Sequence, residues 1–219
     1  MAGQREIHDH WSREAGRKGY RSRAAFKLIQ IDERKHVFHK GDLVLDLGCA
    51  PGSWLQVISQ LVGPKGSAWG IDLQEVTGGL PENVTALLGD AEAPIEAGVP
   101  QGLVFDVITS DMMPNTTGSR DTDHFRSINV CHLAMALCPV WLRPGGTIVM
   151  KVLEGSANPQ LLADVRERFD KAKPFKPDAS RRESTEIFII GQGYKGPTED
   201  ELRGGPSTSG GPPPVPEGW

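Results

Sequence analysis

Two glycines and two aspartates stand where short apolar runs of the sequence end. Gly48 and Gly52 are four residues apart in the turn DLGCAPGSW (46–54), and Asp72 and Asp90 end the next two apolar runs. Glycines let a backbone approach a ligand closely where the chain passes from a strand into a helix. An acid at the end of the second strand accepts hydrogen bonds from a ribose. The set predicts a nucleoside site in which Asp90 takes the adenine amino group.

The turn excludes two common phosphate sites. It lacks the phosphate-loop pattern GxxxxGK[ST], and it lacks the third glycine of the dinucleotide pattern GxGxxG. We therefore expect a nucleoside ligand without phosphates. Turn glycines and helix-capping acids would explain any one of these residues, but they explain poorly why all of them fall at successive strand ends.

Four charged residues beside apolar runs form a second candidate site. Asp111 follows VFDVITS, Lys151 lies in TIVMKV and Glu186 lies in STEIFII. Lys27 belongs to a basic N-terminal segment with helical spacing. A buried charge without a partner costs on the order of several kcal/mol, so the two acids and two lysines are expected to meet. From spacing alone, a structural ion-pair network is an equally good interpretation.

Short apolar runs alternate with amphipathic stretches and must position these residues. The apolar runs predict strands over residues 43–48, 67–72, 84–90, 104–111, 147–152 and 185–191. Helical spacing predicts one or two helices over residues 22–39 and single helices over 53–62, 122–142 and 158–170, followed by an extended basic segment over 171–182. Strands that alternate with helices indicate an α/β fold with a mostly parallel sheet.

The charges are segregated along the chain, although the formal net charge is only -4. Residues 1–40 hold ten lysines and arginines against five acids, and residues 166–196 hold eight against five. Residues 41–165 hold five against fourteen. Clustered cations bind polyanions by releasing counterions from phosphates. The basic flanks therefore predict a nucleic-acid partner, with a solvated surface as the alternative.

Composition divides the chain into a basic helical segment, 1–40, an α/β domain, 41–195, and a Pro/Gly-rich tail, 196–219, expected to be disordered. No apolar run approaches the roughly 18 to 20 residues of a membrane span, and the polar start MAGQREIHDHW is unlike a secretory signal. A cytoplasmic location is expected. The three cysteines form no CxxC pair, so neither a disulfide framework nor a metal site is expected.

Five stretches of the sequence together resemble the FtsJ/RrmJ family, also called RlmE. They are RSRAAFKL (21–28), DLGCAPGSW (46–54), SDMMPN (110–115), GGTIVMKV (145–152) and KPDASRRESTEIFII (176–190). The resemblance runs in order from about residue 10 to residue 195. The family consists of ribosomal RNA 2′-O-methyltransferases that use S-adenosylmethionine. The resemblance implies a Rossmann-like class I methyltransferase fold, with a seven-stranded, mostly parallel sheet and helices on both faces.

The resemblance also implies roles for particular residues. The family's Lys-Asp-Lys-Glu catalytic tetrad corresponds to Lys27, Asp111, Lys151 and Glu186, with Glu183 as a rival for the last place. Its cofactor residues correspond to Gly52, Trp54, Asp72, Asp90 and Asp111, to which Gly48 of the same turn is added. Ser53 replaces the second glycine of the family's usual APGGW turn. The basic residues expected to bind RNA phosphates are Arg21, Arg23, Lys171, Lys173, Lys176, Arg181 and Arg182.

The implied reaction moves a methyl group from a sulfonium to a ribose 2′-hydroxyl. Lys151 is the candidate base, and it can act so only when neutral. If the carboxylates keep it charged, it orients the hydroxyl and stabilises developing negative charge instead. The implied target is a uridine of 23S ribosomal RNA in the assembled large subunit, bound by a monomer. Transfer RNA or a messenger RNA cap is the alternative target.

Three other classes of protein remain as rivals. A nicotinamide oxidoreductase would share the sheet and the ribose-binding acid, but the missing glycine of GxGxxG opposes it. A non-catalytic RNA-binding module would lack members of the tetrad, and here all four candidates are present. A metal-dependent hydrolase would need the early histidines, whose spacing matches no standard site. These histidines are His8, His10, His36 and His39.

Overall fold

The computed structural model describes residues 2–180 and 184–203, with side chains from residue 10 onward. Two of the predicted RNA ligands, Arg181 and Arg182, lie outside the described residues, as do the rival Glu183 and the tail beyond residue 203.

Helices and strands alternate along the described chain. The helices are α1 (Ala2–Lys18), α2 (Ala24–Lys35), α3 (Ser53–Val62), α4 (Pro94–Ala97), α5 (Arg120–Ala136), α6 (Cys138–Trp141), α7 (Asn158–Arg168) and α8 (Glu199–Leu202). The strands are β1 (Leu43–Leu47), β2 (Ser67–Asp72), β3 (Val84–Leu88), β4 (Phe105–Ser110), β5 (Leu142–Leu153), β6 (Phe169–Phe175) and β7 (Glu186–Tyr194). The predicted alternation of strands and helices is confirmed.

The strands form one seven-stranded sheet in the order β3-β2-β1-β4-β5-β7-β6. All neighbours are parallel except β7, which runs antiparallel to both β5 and β6. The strand order reverses between β1 and β4, and the crevice beyond the carboxyl ends of strands at such a point is where open α/β sheets bind ligands. The predicted fold class is confirmed.

Strand alternation sends side chains into two apolar cores, one on each face of the sheet. Val44, Val107 and Val149 pack against α2 and α3 on the first face. Their neighbours Leu45 and Ile108 pack against α5, α6 and α7 on the second face. We call these the α2 face and the α5 face. Leu28 and Ile31 of α2 are fully buried in the first core, so the basic N-terminal segment is packed into the domain that follows it.

Two of the differences from the sequence prediction have a direct physical reason. A single helix was expected over residues 122–142, but α5 ends at Ala136 and α6 begins at Cys138. Pro139 explains the break, because proline has no backbone N–H and is tolerated only in the first turn of a helix. The segment 171–182, expected to be merely extended, contains most of the edge strand β6. Because exposed lysines interrupt its sequence, this strand contains no apolar run that would predict it.

The prediction of disorder from residue 196 is wrong for the start of the tail. Thr198 caps α8, accepting from the Glu201 N–H, while the Glu201 carboxylate accepts from the Thr198 N–H. Arg168 also binds Glu201 at 2.8 Å, which ties α8 to the end of α7. A capping box and one partly buried ion pair therefore order a helix of four residues that has no buried residue of its own.

The helices within residues 2–180 and 184–203 include none that combines the length and the apolar character of a membrane span.

Asp46 is a buried carboxyl in the middle of the sheet. It lies on the α2 face of β1, is 1% exposed, and one oxygen accepts a hydrogen bond of 2.7 Å from the Thr109 hydroxyl. Burial raises the pKa of Asp46 to about 8, opposed by the Thr109 hydrogen bond and helped by the charges of Asp111 and Asp72. Asp46 is therefore protonated at neutral pH.

Replacing Asp46 by asparagine should remove a pH-dependent part of the stability. The unfolded chain loses this proton near the ordinary pKa of 3.8, whereas the folded chain keeps it up to about pH 8. Because the unfolded state binds fewer protons in this window, stability falls as pH rises, by about 1.4 kcal/mol per pH unit from this group. Urea unfolding of both proteins at several pH values between 5 and 8 measures it. A stability difference between Asp46→Asn and parent that is independent of pH would contradict the assignment.

Candidate active site

The four residues of the predicted tetrad meet on the α2 face at the carboxyl edge of the sheet. Asp111 follows β4, and its neighbour Ser110 pairs with Met150, which places Asp111 beside Lys151. On the other side, Lys151 pairs with Phe188 of β7, and Glu186 lies two residues before Phe188 on the same face. Lys27 enters from α2, which covers this face.

The tetrad is arranged as two ion pairs. Lys27 Nζ lies 2.7 Å from Glu186 Oε1, and Lys151 Nζ lies 2.9 Å from Asp111 Oδ1. Lys27, Lys151 and Glu186 are each less than a tenth exposed. Lys151 Nζ also donates to the backbone carbonyl of Asp111 at 2.5 Å. The Lys151 nitrogen thus faces two oxygens of Asp111, which leaves one further position of this nitrogen for a substrate.

Glu186 is held in its charged form. Burial raises the pKa of Glu186, but the ion pair with Lys27 and the nearby charge of Lys151 outweigh burial and bring the pKa below its ordinary value of 4.5. The influence of Lys151 on Glu186 means that the two ion pairs lie close enough to interact. A partly buried carboxylate with two neighbouring lysines can hold a hydroxyl group and balance a positive charge that forms beside it.

Gly48 and Gly52 shape the turn between β1 and α3. Gly48 has φ +75 and Gly52 has φ +98, a region that side-chain-bearing residues rarely adopt. A Cβ on Gly48 would lie 2.5 Å from Met112 Cγ, so the turn packs directly against the segment that follows Asp111. The turn lies next to the point where the strand order reverses, beside the Lys151–Asp111 pair.

The two predicted nucleoside-binding acids lie at the ends of neighbouring strands. Asp72 ends β2, and its two oxygens accept from the backbone N–H groups of Ala50 and Gln74, each at 2.8 Å. Asp72 therefore supports the turn as well as facing the crevice. Asp90 follows β3, is exposed, and accepts from the Glu92 N–H at 2.9 Å. Since β1, β2 and β3 are adjacent, the turn and both acids line one half of the carboxyl edge.

The Trp54 side chain is buried in the core, whereas a side chain that contacts a cofactor would have to face the crevice. Its indole is 3% exposed, packs 5.7 Å from the Phe188 ring between centroids, and donates from Nε1 to the Ala24 carbonyl at 2.9 Å. The side chain therefore joins α3 to α2 inside the core. Only the backbone of Trp54, in the first turn of α3, faces the Gly48–Gly52 turn, and N–H groups in that position favour an anionic group of a ligand.

Asp46 is a site residue that the sequence interpretation left without a role. The charges of both Asp72 and Asp111 act on it, so it lies between the nucleoside acids and the tetrad. Among the described residues, its second oxygen has no hydrogen-bond partner. The signal in the sequence was an acid inside the apolar run LVLDLG, where a charge has to be neutralised or paired.

The described RNA ligands predicted for the second basic flank lie in β6 or directly after it. Lys171 and Lys173 are exposed, and they pair with Gln192 and Ile190 on the α2 face, the face that carries Lys27. Lys176 follows the strand, 3.5 Å from the Glu154 carboxylate. Lys171 pairs with Gln192, which lies six residues along β7 from Glu186. The row of cations therefore extends up to roughly 20 Å from the tetrad.

The predicted RNA ligands of the first flank, Arg21 and Arg23, precede α2. Arg23 occupies the N-cap position and is partly exposed. Arg21 has its guanidinium against backbone carbonyls of the Gly48–Gly52 turn and of the loop after β2. Within the described part of the chain, no cluster of histidine, cysteine and acidic side chains could hold a metal ion.

Comparison with known proteins identifies related sequences. The model of the FtsJ-like methyltransferase family matches residues 20–194. The chain is 43% identical to ribosomal RNA large subunit methyltransferase E of Desulforapulum autotrophicum, over 85% of this chain and 93% of that protein. It is 38% identical to the protein of the same name from Caulobacter vibrioides, over 88% of this chain and 85% of that protein.

A solved structure gives the same result for the fold. A crystal structure described as a ribosomal RNA methyltransferase from Plasmodium falciparum superposes with a TM-score of 0.68 and 26% identity, covering 81% of this chain and all of that one. Because the family match and both relatives extend over most of the chain, the protein belongs to the FtsJ-like methyltransferase family and is an S-adenosylmethionine-dependent methyltransferase.

Proposed function

We propose that the protein transfers a methyl group from S-adenosylmethionine to a ribose 2′-hydroxyl of large-subunit ribosomal RNA. The observation that carries the proposal is the buried Lys151–Asp111 pair, which lies at the reversal of strand order beside the Gly48–Gly52 turn. A lysine in that place can meet an acceptor hydroxyl next to a cofactor held by the turn. The names of the two relatives support ribosomal RNA as the substrate.

The residues along β1, β2 and β3 fit S-adenosylmethionine. Gly48 and Gly52 leave room for a ligand close to the backbone, Asp72 takes the ribose hydroxyls, and Asp90 takes the adenine amino group. The first turn of α3, including the Trp54 N–H, takes the carboxylate of the methionine part. Asp111, which is a member of the tetrad, also borders this half of the edge. When bound, the cofactor supplies a methyl group on a sulfonium, which is already a good leaving group.

Lys151 removes the proton from the 2′-hydroxyl. A neutral Lys151 donates two N–H groups to Asp111 and keeps its lone pair for the hydroxyl proton, so the amine becomes an ammonium as the oxygen bonds to the methyl group. Asp111 orients the nitrogen and then stabilises the ammonium. Glu186 and Lys27 hold the ribose, and the Glu186 carboxylate balances the new charge.

The basic residues on the α2 face bind RNA phosphates. Lys171, Lys173 and Lys176 extend the surface from the tetrad along β6, which suits a substrate much larger than one nucleotide. We further propose that the target is a uridine in the assembled large subunit, that the protein acts in the cytoplasm, where ribosomal subunits are found, and that it acts as a monomer.

Lys151→Ala should abolish most turnover while leaving cofactor affinity nearly unchanged, because Lys151 contacts the acceptor and not the cofactor. A base of this kind contributes about 10² to 10⁴ in rate. Lys151→Arg should also fail as a base, since arginine keeps its proton at working pH, but it can still orient the hydroxyl. Single-turnover methylation of ribosomal subunits, with calorimetry for S-adenosylmethionine, measures both effects.

The control for Lys151 is Lys65→Ala. Lys65 is exposed in the turn before β2, at the opposite edge of the sheet, and its removal should leave the single-turnover rate at the parental value. If Lys151→Ala keeps a near-parental rate, the Lys151–Asp111 pair is structural only. If Lys151→Arg retains as much activity as the parent, Lys151 acts as a charged orienting group and not as a base.

Asp72→Ala should weaken S-adenosylmethionine binding by about 1 to 3 kcal/mol, the cost of leaving buried hydroxyl groups poorly paired. Calorimetry without RNA gives the affinity, and the melting temperature checks that the turn still folds without the Ala50 hydrogen bond. Glu82→Ala removes an exposed acid just before β3 and should change neither quantity. Parental affinity in a folded Asp72→Ala protein would contradict the cofactor assignment.

Replacing Lys173 and Lys176 together by alanine should weaken RNA binding and flatten its salt dependence. Each lost phosphate contact lowers the slope of log affinity against log salt by roughly 0.7 to 0.9. Binding of a large-subunit ribosomal RNA fragment at several salt concentrations measures the slope, and Lys65→Ala removes a charge at the opposite edge as the control. Equal slopes for the double variant and the parent would mean that these lysines face only solvent.

A further inference from the structure

The Arg21 guanidinium donates three hydrogen bonds to backbone carbonyls of the chain. Its Nη1 donates to the carbonyls of Pro51 at 2.9 Å and Thr77 at 2.5 Å, and its Nη2 donates to the carbonyl of Gly79 at 2.9 Å. Pro51 belongs to the Gly48–Gly52 turn. Thr77 and Gly79 belong to the loop that follows Asp72. One guanidinium thus joins two segments that line the cofactor half of the carboxyl edge.

The stem of Arg21 also packs against these segments. A Cβ on Gly52 would lie 3.4 Å from Arg21 Cδ and 2.9 Å from a methyl carbon of Val76. Arg21 therefore lies across the turn at the point where the chain has no side chain. Residues 73–83, between β2 and β3, contain no helix or strand, so side-chain contacts of this kind determine where the loop lies relative to the turn.

The backbone around Arg21 is fixed independently of its side chain. The Arg21 N–H donates to Gln56 Oε1 at 2.9 Å, and Gln56 Nε2 donates to the Gly19 carbonyl at 3.0 Å. The hydroxyls of Ser22 and Ser53 are 2.8 Å apart. These contacts attach the segment before α2 to the first turns of α3. The guanidinium is therefore presented to the carbonyls from a rigid base.

We propose that Arg21 is a positioning residue of the cofactor site, which holds the loop after β2 against the Gly48–Gly52 turn, and not a ligand of RNA phosphates. The inference rests on the proposed function, because it assigns S-adenosylmethionine to that half of the edge. Three of the five N–H donors of the guanidinium are already given to carbonyls within the chain, and its planar fork can reach acceptors on two segments at once.

Three measurements on Arg21→Ala and Arg21→Lys test the proposal. Calorimetry gives the affinity for S-adenosylmethionine without RNA, salt titration of a large-subunit ribosomal RNA fragment gives the salt slope, and thermal unfolding gives the melting temperature. We expect Arg21→Ala to weaken cofactor affinity on the order of tenfold, with an unchanged salt slope. In steady state, KM for the cofactor should rise while kcat at saturation stays near the parental value.

Arg21→Lys should recover only part of the affinity, because one ammonium cannot reach three carbonyls on two segments with the geometry of the fork. It also serves as the test if Arg21→Ala does not fold. The matched control is Arg143→Ala, which removes an exposed arginine paired with Asp106 near the start of β5 and should leave cofactor affinity unchanged.

Two outcomes would overturn the inference. A salt slope lower by roughly 0.7 to 0.9 with parental cofactor affinity would make Arg21 a phosphate ligand. A lower melting temperature with parental cofactor affinity and KM would make it a purely structural residue. Failure of the parent protein itself to bind S-adenosylmethionine would instead overturn the proposed function, so the two failures are distinguishable.

Discussion

The amino groups of Lys151 and Lys27 are buried, and the rest of the site depends on the carboxylates that they face. Removing one partner of a buried ion pair costs about 3 to 5 kcal/mol, because the other charge is left in a poorly solvated place. Asp111 comes from β4 and Glu186 from β7, the two strands beside β5, while Lys27 comes from α2. Pairing these four groups thus requires four separate parts of the chain, β5 included, to meet on one face.

The same requirement joins the acceptor half of the edge to the cofactor half. Lys27 reaches Glu186 only when α2 lies on the sheet, and α2 is attached to α3 by the Trp54 indole. Because α3 begins directly after the Gly48–Gly52 turn, the helix that carries Lys27 is attached through α3 to the turn that we propose faces the cofactor. A methyl transfer needs its acceptor, donor and base closely aligned, since a misplacement of about 1 Å can cost roughly 10²-fold in rate, and this attachment favours such alignment.

Much of this arrangement could be predicted from the sequence, and the exceptions have physical reasons. Apolar runs predicted six strands, but β6 was missed because an edge strand with exposed lysines has no such run. The spacing of charges predicted that the tetrad would meet, but not that Lys27 pairs with Glu186 and Lys151 with Asp111. The inward direction of Trp54 has no sequence signal. The apolar run around Asp46 indicates only that its charge must be neutralised or paired, because which of the two occurs depends on neighbours distant along the chain.

A count of charges along the sequence does not show which cations are already paired within the chain. This pairing changes where RNA is expected to bind. The first flank is strongly basic in sequence, yet Arg17 and Lys18 both face Glu14, and Lys27 faces Glu186. Arg21 has carbonyl acceptors from two loops. A cation that already has acceptors within the chain releases fewer counterions when RNA arrives. We therefore expect the exposed lysines of β6 to account for more of the phosphate binding than their share of the basic residues suggests.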